Sequence, residues 1–512
     1  MDIKLPEEVK EILEKFQKAK FQIYIVGGAV RDLIMGREVN DWDFTTDAKP
    51  EEILKLFPEG FYDNKFGTVG VSPLAISYSL LAAKSEIYEI TTMRKEGVYK
   101  DSRHPVEVSW TNKIEEDLKR RDFTINAIAL GFPSVILNEA KRSEESPTNV
   151  GLKQAFEAVS PQAESVQRSF ANAQDDNYII IDPFNGQQDI KNKIIRAVGD
   201  PAKRFQEDAL RLMRAIRIAA QLNFEIEEKT LQAIKENSLL IKEIANERIR
   251  DELFKMLESD NARLPSPDGE APGGQAYEGI IKLKEAGILQ IILPEVERCF
   301  GIVQEGPKHD RVYDIGEHLF LALKHTPTTD PLVKLAALLH DVGKADTVEI
   351  ASDGNVTFYQ HDVVGGQIVL QITRRFNLSK KQTDRIYRLV RWHLFTVDEN
   401  QTDSAIRRFI KNVGLENIED MMAVRIGDRL GGGTQNAVSW RMEEFSKRIK
   451  EVLKKPFSIS DLKINGSDVM KTLQIKPGPK VGEILQKLFE EVLEDSSKND
   501  SDYLSNRIKE LA

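Results

Sequence analysis

The chain has 512 residues, 41% hydrophobic, 30% charged and 7% aromatic, enough for about three to four packed units at roughly 100 to 200 residues each. With 82 acidic against 72 basic side chains, the formal charge of −10 excludes nucleic-acid binding through bulk charge, so an RNA or DNA contact must be a local basic patch. One cysteine, Cys299, excludes a disulfide framework and a zinc site built on several thiolates.

The N-terminal MDIKLPEEVKEILEKF carries charge throughout and nowhere do 18 apolar residues run together, so no signal peptide or membrane span is expected and the location expected is cytoplasmic. Residues 7 to 19 have helical spacing, with Val9, Ile12, Leu13 and Phe16 on one stripe, and the apolar run 21 to 26 ends at Gly27-Gly28. This predicts helix, strand, glycine turn, helix. Further strands are expected at 68 to 71 and 86 to 92, making residues 1 to 131 a mixed α/β unit. Residues 132 to 177, rich in Ser, Ala, Asn, Gln and Glu, separate two segments that read well when joined directly. They are expected to be a disordered surface insertion or a partner contact, and 259 to 276 a solvated loop. Residues 178 to 300 and 301 to 450 read as almost wholly helical, followed by a helical tail at 451 to 512. The fold class expected is α+β: a mixed α/β head followed by an all-α body.

The segment YIVGGAVRDLIMGREVNDWDFTTD (24 to 47) sets two glycines at a strand-to-helix turn, then Arg31, then Asp41 and Asp43 one residue apart. In a strand, side chains at i and i+2 share a face. Two carboxylates so placed repel unless a divalent cation, here expected to be Mg²⁺, sits between them, as phosphoryl and nucleotidyl transfer require. Gly27 and Gly28 let backbone N–H groups approach phosphate oxygens, and Arg31 can add a bidentate contact.

Together with FGTVGV (66 to 71), EITTMRKEGVY (89 to 99), RRDFTINAIAL (120 to 130), IIDPFNGQQDIKNKIIRAVGDP (180 to 201) and RFQEDALRLMRAIRIAAQLNFEIEEKT (204 to 230), these motifs stand in one order. In that order they resemble the tRNA nucleotidyltransferase and poly(A) polymerase family of class II nucleotidyltransferases, in particular the bacterial CCA-adding enzymes. The resemblance implies a nucleotidyltransferase head and tRNA, ATP and CTP as partners. It also implies that Arg121 contacts the nucleotide with Asn126 in support. For Asp122 and Arg120, pairing that merely fixes a helical stretch is an equally good reading.

A helix beginning near Pro201 is predicted to bury Phe205, Ala209, Leu212, Ile216 and Ala219, spaced 4, 3, 4 and 3. Its other face carries Arg204, Asp208, Arg211, Arg214 and Arg217, either a solvated ion-paired face or, as the resemblance implies for Glu207-Asp208 and Arg211, the reader of the incoming base. Cytosine and adenine each present an exocyclic amine beside a ring-nitrogen acceptor, and guanine and uracil the reverse. An Asp that only accepts and an Arg that only donates therefore fit C and A. Arg214 and Arg217, further along, are expected to reach the triphosphate. Local basic excesses at 185 to 217 (eight Lys or Arg against four Asp or Glu) and 371 to 411 (ten against four) are candidate RNA contacts.

Five of the seven histidines lie between 318 and 393, and His340-Asp341 ends the apolar segment PLVKLAALLHD, followed by Val342-Gly343-Lys344. HDVGK resembles the signature of the HD superfamily of metal-dependent phosphohydrolases, here at 301 to 450. That resemblance implies ligands at His318, His340, Asp341 and Asp428, with His361 and His393 at positions that hold a second ion in some members, and a divalent ion among Mg²⁺, Mn²⁺, Ni²⁺ and Co²⁺. A retained fold without activity is the alternative. The function expected is addition of C, C and A to the tRNA 3′ end, with an A-adding, CC-adding or poly(A)-forming enzyme as alternatives within the class. Outside it, the alternative is a phosphohydrolase whose head merely holds RNA.

Overall fold

The computed structural model describes residues 5–39, 41–62, 67–72, 87–96, 108–131, 178–260, 274–304, 313–352, 354–395, 401–434, 436–453 and 459–511. It divides into two compact units, Met1–Arg248 with Glu285–Ile288, and Ile249–Lys284 with Leu289–Ala512.

In the first unit, α1 (Glu7–Lys18) buries the predicted stripe of Val9, Ile12, Leu13 and Phe16, because apolar residues three and four apart share one helix face. It leads into β1 (Ile23–Val26), α2 (Gly28–Ile34) and β2 (Asp43–Thr46). After α3 (Pro50–Leu56) come β3 (Phe61–Tyr62), β4 (Thr68–Val71) and β5 (Tyr88–Thr92). A separate hairpin, β6 (Arg94–Glu96) with β7 (Val108–Trp110), precedes α4 (Ile114–Lys119), and β8 (Ala129–Gly131) and β9 (Ile179–Ile181) complete the unit's strands up to there. Seven strands form one mixed sheet in the order β3-β4-β5-β2-β1-β8-β9. β1 runs antiparallel to both neighbours, with Val26 opposite Asp43 on one side and Ala129 on the other. That register sets the end of β1, where the glycine turn begins, beside the first residue of β2.

Two expectations about local structure are corrected. The helix predicted from Pro201 is two helices, Pro201–Glu207 and Leu210–Leu222. Asp208 between them is extended (φ −145°, ψ 105°), and its carboxylate accepts the backbone N–H of Leu210 at 3.1 Å, so a side-chain acceptor replaces the helical partner. The apolar stripe survives the break, with Phe205, Ala209, Leu212, Ile216 and Ala219 all buried. Nor is RRDFTINA a helix. α4 stops at Lys119, Phe123 bridges to Ala197, and only Thr124–Asn126 makes a short 3₁₀ turn. The backbone groups go elsewhere: Thr124 N–H donates to Arg196, and Val198 N–H to Asp122.

The second unit is helical. Helix Ile418–Gly431 lies so close to helix Ile315–His325 that a Cβ on Gly427 would stand 2.1 Å from the Thr326 hydroxyl and one on Gly431 2.6 Å from the Ala322 nitrogen. Only glycine permits that approach. Between Asp260 and Lys334, both buried, the ammonium donates to the carboxylate at 2.7 Å and to the Leu323 carbonyl at 2.9 Å. A separate apolar cluster, including Val469, Ile484, Leu488, Val492, Leu504 and Ile508, holds the C-terminal helices together.

The expected insertion 132–177 lies outside the described residues, but its two ends are strand partners, with Gly131 opposite Ile179 across the β8–β9 pair. Joining Gly131 to Tyr178 through a short Asn-Gly turn should therefore close a hairpin and preserve the fold and catalysis. Circular dichroism and nucleotide incorporation at wild-type level are the expected outcome, and insoluble protein would show that the removed residues are structural.

Candidate active site and metal centre

Gly27 ends β1 with φ +74°, a conformation that side chains other than glycine rarely adopt. A Cβ there would stand 3.1 Å from Arg121 Nη1 and 3.2 Å from Asp43 Oδ2. The turn, the guanidinium and the carboxylate thus meet at one point. A Cβ on Gly28 would approach Arg31 Nη2 at 3.4 Å. Asp43 is the first residue of β2, whereas Asp41 precedes the strand and is exposed, so the strand alternation expected to align the two does not include Asp41. Burial pushes the Asp43 carboxyl up; the Arg121 charge opposes that and the Asp41 charge adds to it. A partly buried carboxylate with a second carboxylate in electrostatic reach is short of positive charge, and the donor set suits a hard divalent cation.

Around this point the charged groups are linked. Arg31 grips Asp32 through Nε (2.9 Å) and Nη2 (2.8 Å), and donates through Nη1 to Asn126 Oδ1 (3.0 Å). Asn126 Nδ2 donates to Asp122 Oδ1 (3.2 Å), which also accepts the Phe123 N–H (2.8 Å). Asp122 Oδ2 takes both Nε (2.9 Å) and Nη2 (2.7 Å) of Arg214. Burial raises the Asp122 pKa, but Arg214 outweighs it and holds the carboxyl well below the usual range. Arg214 is anchored on Asp122, and Arg217 donates to Gln221 at 2.6 Å. Arg120 pairs with buried Asp117 (2.9 Å).

Asp208 and Arg211 are each held by a separate counter-ion. Arg248 donates to Asp208 Oδ2 at 3.0 Å, and Arg211 donates to Glu207 Oε2 at 2.7 Å. Arg211 also donates to the Arg204 and Arg120 carbonyls. Arg248 was not singled out in the sequence. It lies 40 residues beyond Asp208, in a run (NERIRDE) whose spacing marks only a charged helix.

In the second unit, six of the sequence-selected residues converge. His318 Nε2 lies 3.1 Å from His340 Nε2, 3.3 Å from Asp428 Oδ1 and 3.6 Å from Asp341 Oδ2. On the other side of Asp341, its Oδ1 is 3.2 Å from His361 Nε2 and 3.3 Å from His393 Nε2. His318, His340 and Asp341 form one buried triplet of ligand atoms, and Asp341, His361 and His393 a second. Nδ1 of His340, His361 and His393 faces the carbonyl of Ala337, Phe358 and Val390 at 2.8, 2.8 and 2.7 Å. A carbonyl only accepts, so each Nδ1 carries a proton, and each Nε2 faces the carboxylates of the centre. Nε2 of His361 and of His393 is buried without a hydrogen-bond partner, as ligand atoms would be. Burial works against charge on His340, but Asp341 and Asp428 prevail and push its pKa up to about 10. Lys344, from HDVGK, reaches Asp341 Oδ2 at 2.6 Å and Gln304 Oε1 at 2.7 Å. Its role, and those of Arg425 and Arg429 beside Asp428, were not read from the sequence.

Comparison with known proteins bears on both units. Residues 23–140 match the poly A polymerase head domain, 223–264 the "Probable RNA and SrmB-binding site of polymerase A", and 367–508 a second domain of tRNA nucleotidyltransferases. The chain is 42% identical to the CCA-adding enzyme of Lactobacillus helveticus over 257 residues, 49% of this chain and 51% of that one. To the CCA-adding enzyme of Ligilactobacillus salivarius it is 29% identical over 516 residues, 99% of this chain and 98% of that one. Its fold matches the crystal structure of the Bacillus stearothermophilus CCA-adding enzyme in complex with CTP, with a TM-score of 0.61, 24% identity, and coverage of 99% and 98% of the two chains. Among the described residues no helix is long and apolar enough to cross a membrane. With the motifs in order, the carboxylate and arginine cradle at the glycine turn and full-length similarity, the chain belongs to the tRNA nucleotidyltransferase and poly(A) polymerase family.

Proposed function

We propose that this protein adds C, C and A in turn to the 3′ end of tRNA, using CTP and ATP and releasing pyrophosphate. The observation that carries the reading is the meeting of Gly27 and Asp43, from one short stretch, with Arg121, nearly 80 residues further on, within about one side-chain contact. The narrow turn leaves room for triphosphate oxygens beside the backbone, and Arg121 and Arg31 supply positive charge there. Mg²⁺ held by Asp41 and Asp43 would supply stabilisation of charge on the triphosphate and on the attacking hydroxyl. Asp208 accepts from the exocyclic amine and Arg211 donates to the ring nitrogen that C and A share. A wrong base leaves both unpaired, at a cost of several kcal/mol. Because Arg248 and Glu207 hold these two side chains, the reader is oriented before the base arrives. Replacing Asp41 or Asp43 by Ala should bring labelled CTP incorporation below about one per cent of wild type while tRNA binding, carried mainly by Lys and Arg contacts to phosphates, stays near normal. Incorporation above a few per cent in either variant would remove these carboxylates from the chemistry.

A second reading is favoured for the other unit by the paired histidine triplets that share Asp341. It is a divalent-metal-dependent phosphohydrolase centre, with His318, His340, Asp341 and Asp428 holding one ion and His361 and His393 a second. A bound divalent ion would supply Lewis-acid stabilisation of phosphate charge and an activated water. The chain's own contribution is to fix the three Nδ1–H groups on backbone carbonyls, so that the ring orientations are set in advance. His340→Ala should lower the Mn²⁺ or Ni²⁺ content of purified protein and leave CTP incorporation unchanged. Equal metal content in variant and wild type would contradict the assignment.

A further inference from the structure

Asp117 on α4 is fully buried, whereas Glu115 and Lys119 of the same short helix are exposed. A carboxylate taken out of water is destabilising unless donors and cations surround it. The two oxygens of Asp117 meet that demand differently. Oδ1 accepts from Arg120 Nε at 2.9 Å and Nη2 at 2.8 Å, and from the backbone N–H of Arg94, the first residue of β6, at 3.3 Å. Oδ2 is buried without a hydrogen bond, and its ion-pair partner is Arg121 Nη2 at 3.5 Å. Nε of Arg121 is likewise buried with no hydrogen-bond partner. The other terminal nitrogen of that guanidinium, Nη1, stands at the glycine turn, 3.1 Å from where a Cβ on Gly27 would lie, and Asp43 Oδ2 is 3.2 Å from the same point. Arg121 thus lies between two carboxylates, a buried one on its Nη2 side and one of the candidate active site on its Nη1 side. Because a guanidinium is planar, an anchor at one nitrogen fixes the direction of the others.

We propose that Asp117 is a positioning residue for nucleotide transfer, holding Arg121 through Nη2 so that Nη1 meets the triphosphate at the Gly27 turn. This rests on the reading of Gly27, Asp43 and Arg121 as the triphosphate site. With the Asp117 charge gone, Asp43 is left to draw the guanidinium, and Arg121 would pair with that carboxylate instead of with phosphate. The Oδ1 side of Asp117 leads elsewhere. The Arg120 carbonyl accepts from Arg204 Nη1 at 3.3 Å and from Arg211 Nη2 at 3.2 Å. An effect of Asp117 passed through Arg120 would therefore reach the base reader, and one passed through Arg121 would reach the triphosphate.

The test measures kcat and KM for CTP and ATP, discrimination against UTP, and inhibition by inorganic pyrophosphate, in the full chain and in Asp117→Asn, Arg121→Gln and the double variant. Asp117→Asn keeps the size of the side chain and its Oδ1 acceptor but removes the charge. It should raise KM for both nucleotides and the inhibition constant of pyrophosphate at least about fivefold, with kcat within about twofold of wild type and discrimination against UTP unchanged. In the Arg121→Gln background the same substitution should add little, because the group it acts through is already gone. A rise in the double variant as large as in the wild-type background overturns the proposal, as does weakened discrimination against UTP with an unchanged pyrophosphate constant, since Asp117 then acts through Arg120 or β6. Failure of the underlying reading looks different: Arg121→Gln alone would leave the pyrophosphate constant unchanged, which removes Arg121 from the triphosphate site. If Asp117→Asn does not fold, Arg121→Lys decides, because it keeps the charge but has no second nitrogen to anchor. KM must then rise by about the same factor, and a wild-type KM overturns the positioning role.

Discussion

A buried carboxylate must be surrounded by donors or lose its charge, and in the first unit Asp122 meets that demand by joining three segments. Its oxygens accept from the Phe123 backbone, from Asn126, and twice from Arg214 on helix Leu210–Leu222. Asn126 in turn holds Arg31 beside the glycine turn. The glycine turn and helix Leu210–Leu222 are thereby fixed to one group. Stripping a buried ion of its partner typically costs about 3–5 kcal/mol, so the arrangement is rigid for an electrostatic reason as well as by packing. The same constraint decides between the two sequence readings of Asp122: it fixes structure, and the structure it fixes is the site.

Much of this was legible in the sequence because the chemistry is local there. The glycine pair, Arg31, Asp41 and Asp43 fall within one short stretch, and the apolar stripe of Phe205, Ala209, Leu212, Ile216 and Ala219 has an unmistakable period. The break at Asp208 was hidden by that very period, because 4 and 3 spacing continues across it while the backbone turns extended for one residue. A residue whose side chain caps its own successor carries no periodic signal. Arg248 as the partner of Asp208, Glu207 as that of Arg211, and Asp117 as that of Arg120 depend on contacts that only folding creates. For Arg214, the partner that only folding reveals is the buried Asp122 carboxylate.

In the second unit the histidines were legible for a different reason: five of seven fall between residues 318 and 393, and HDVGK marks two of the expected ligand positions. The family resemblance already divided the histidines into two groups, and what only the fold reveals is that Asp341 stands between the two pairs of rings. The tautomers were equally invisible, being set by the carbonyls of Ala337, Phe358 and Val390. The close helix approach that carries Asp428 to His318 rests on Gly427 and Gly431. In the sequence these belong to a glycine-rich run that reads as a helix end.

The transfer chemistry and the preference for C and A are tested together by one measurement. Three tRNAs, lacking all three, two or one of the terminal nucleotides, are each given the four labelled triphosphates separately, with wild type and with Arg211→Ala. The account predicts that wild type adds C to the first two and A to the third, rejecting U and G by at least about a hundredfold, and that Arg211→Ala lowers C and A addition while narrowing the gap to U and G. Comparable use of U or G by the wild type, addition confined to C alone or to A alone, or an Arg211→Ala enzyme that loses all four nucleotides in equal proportion would contradict it.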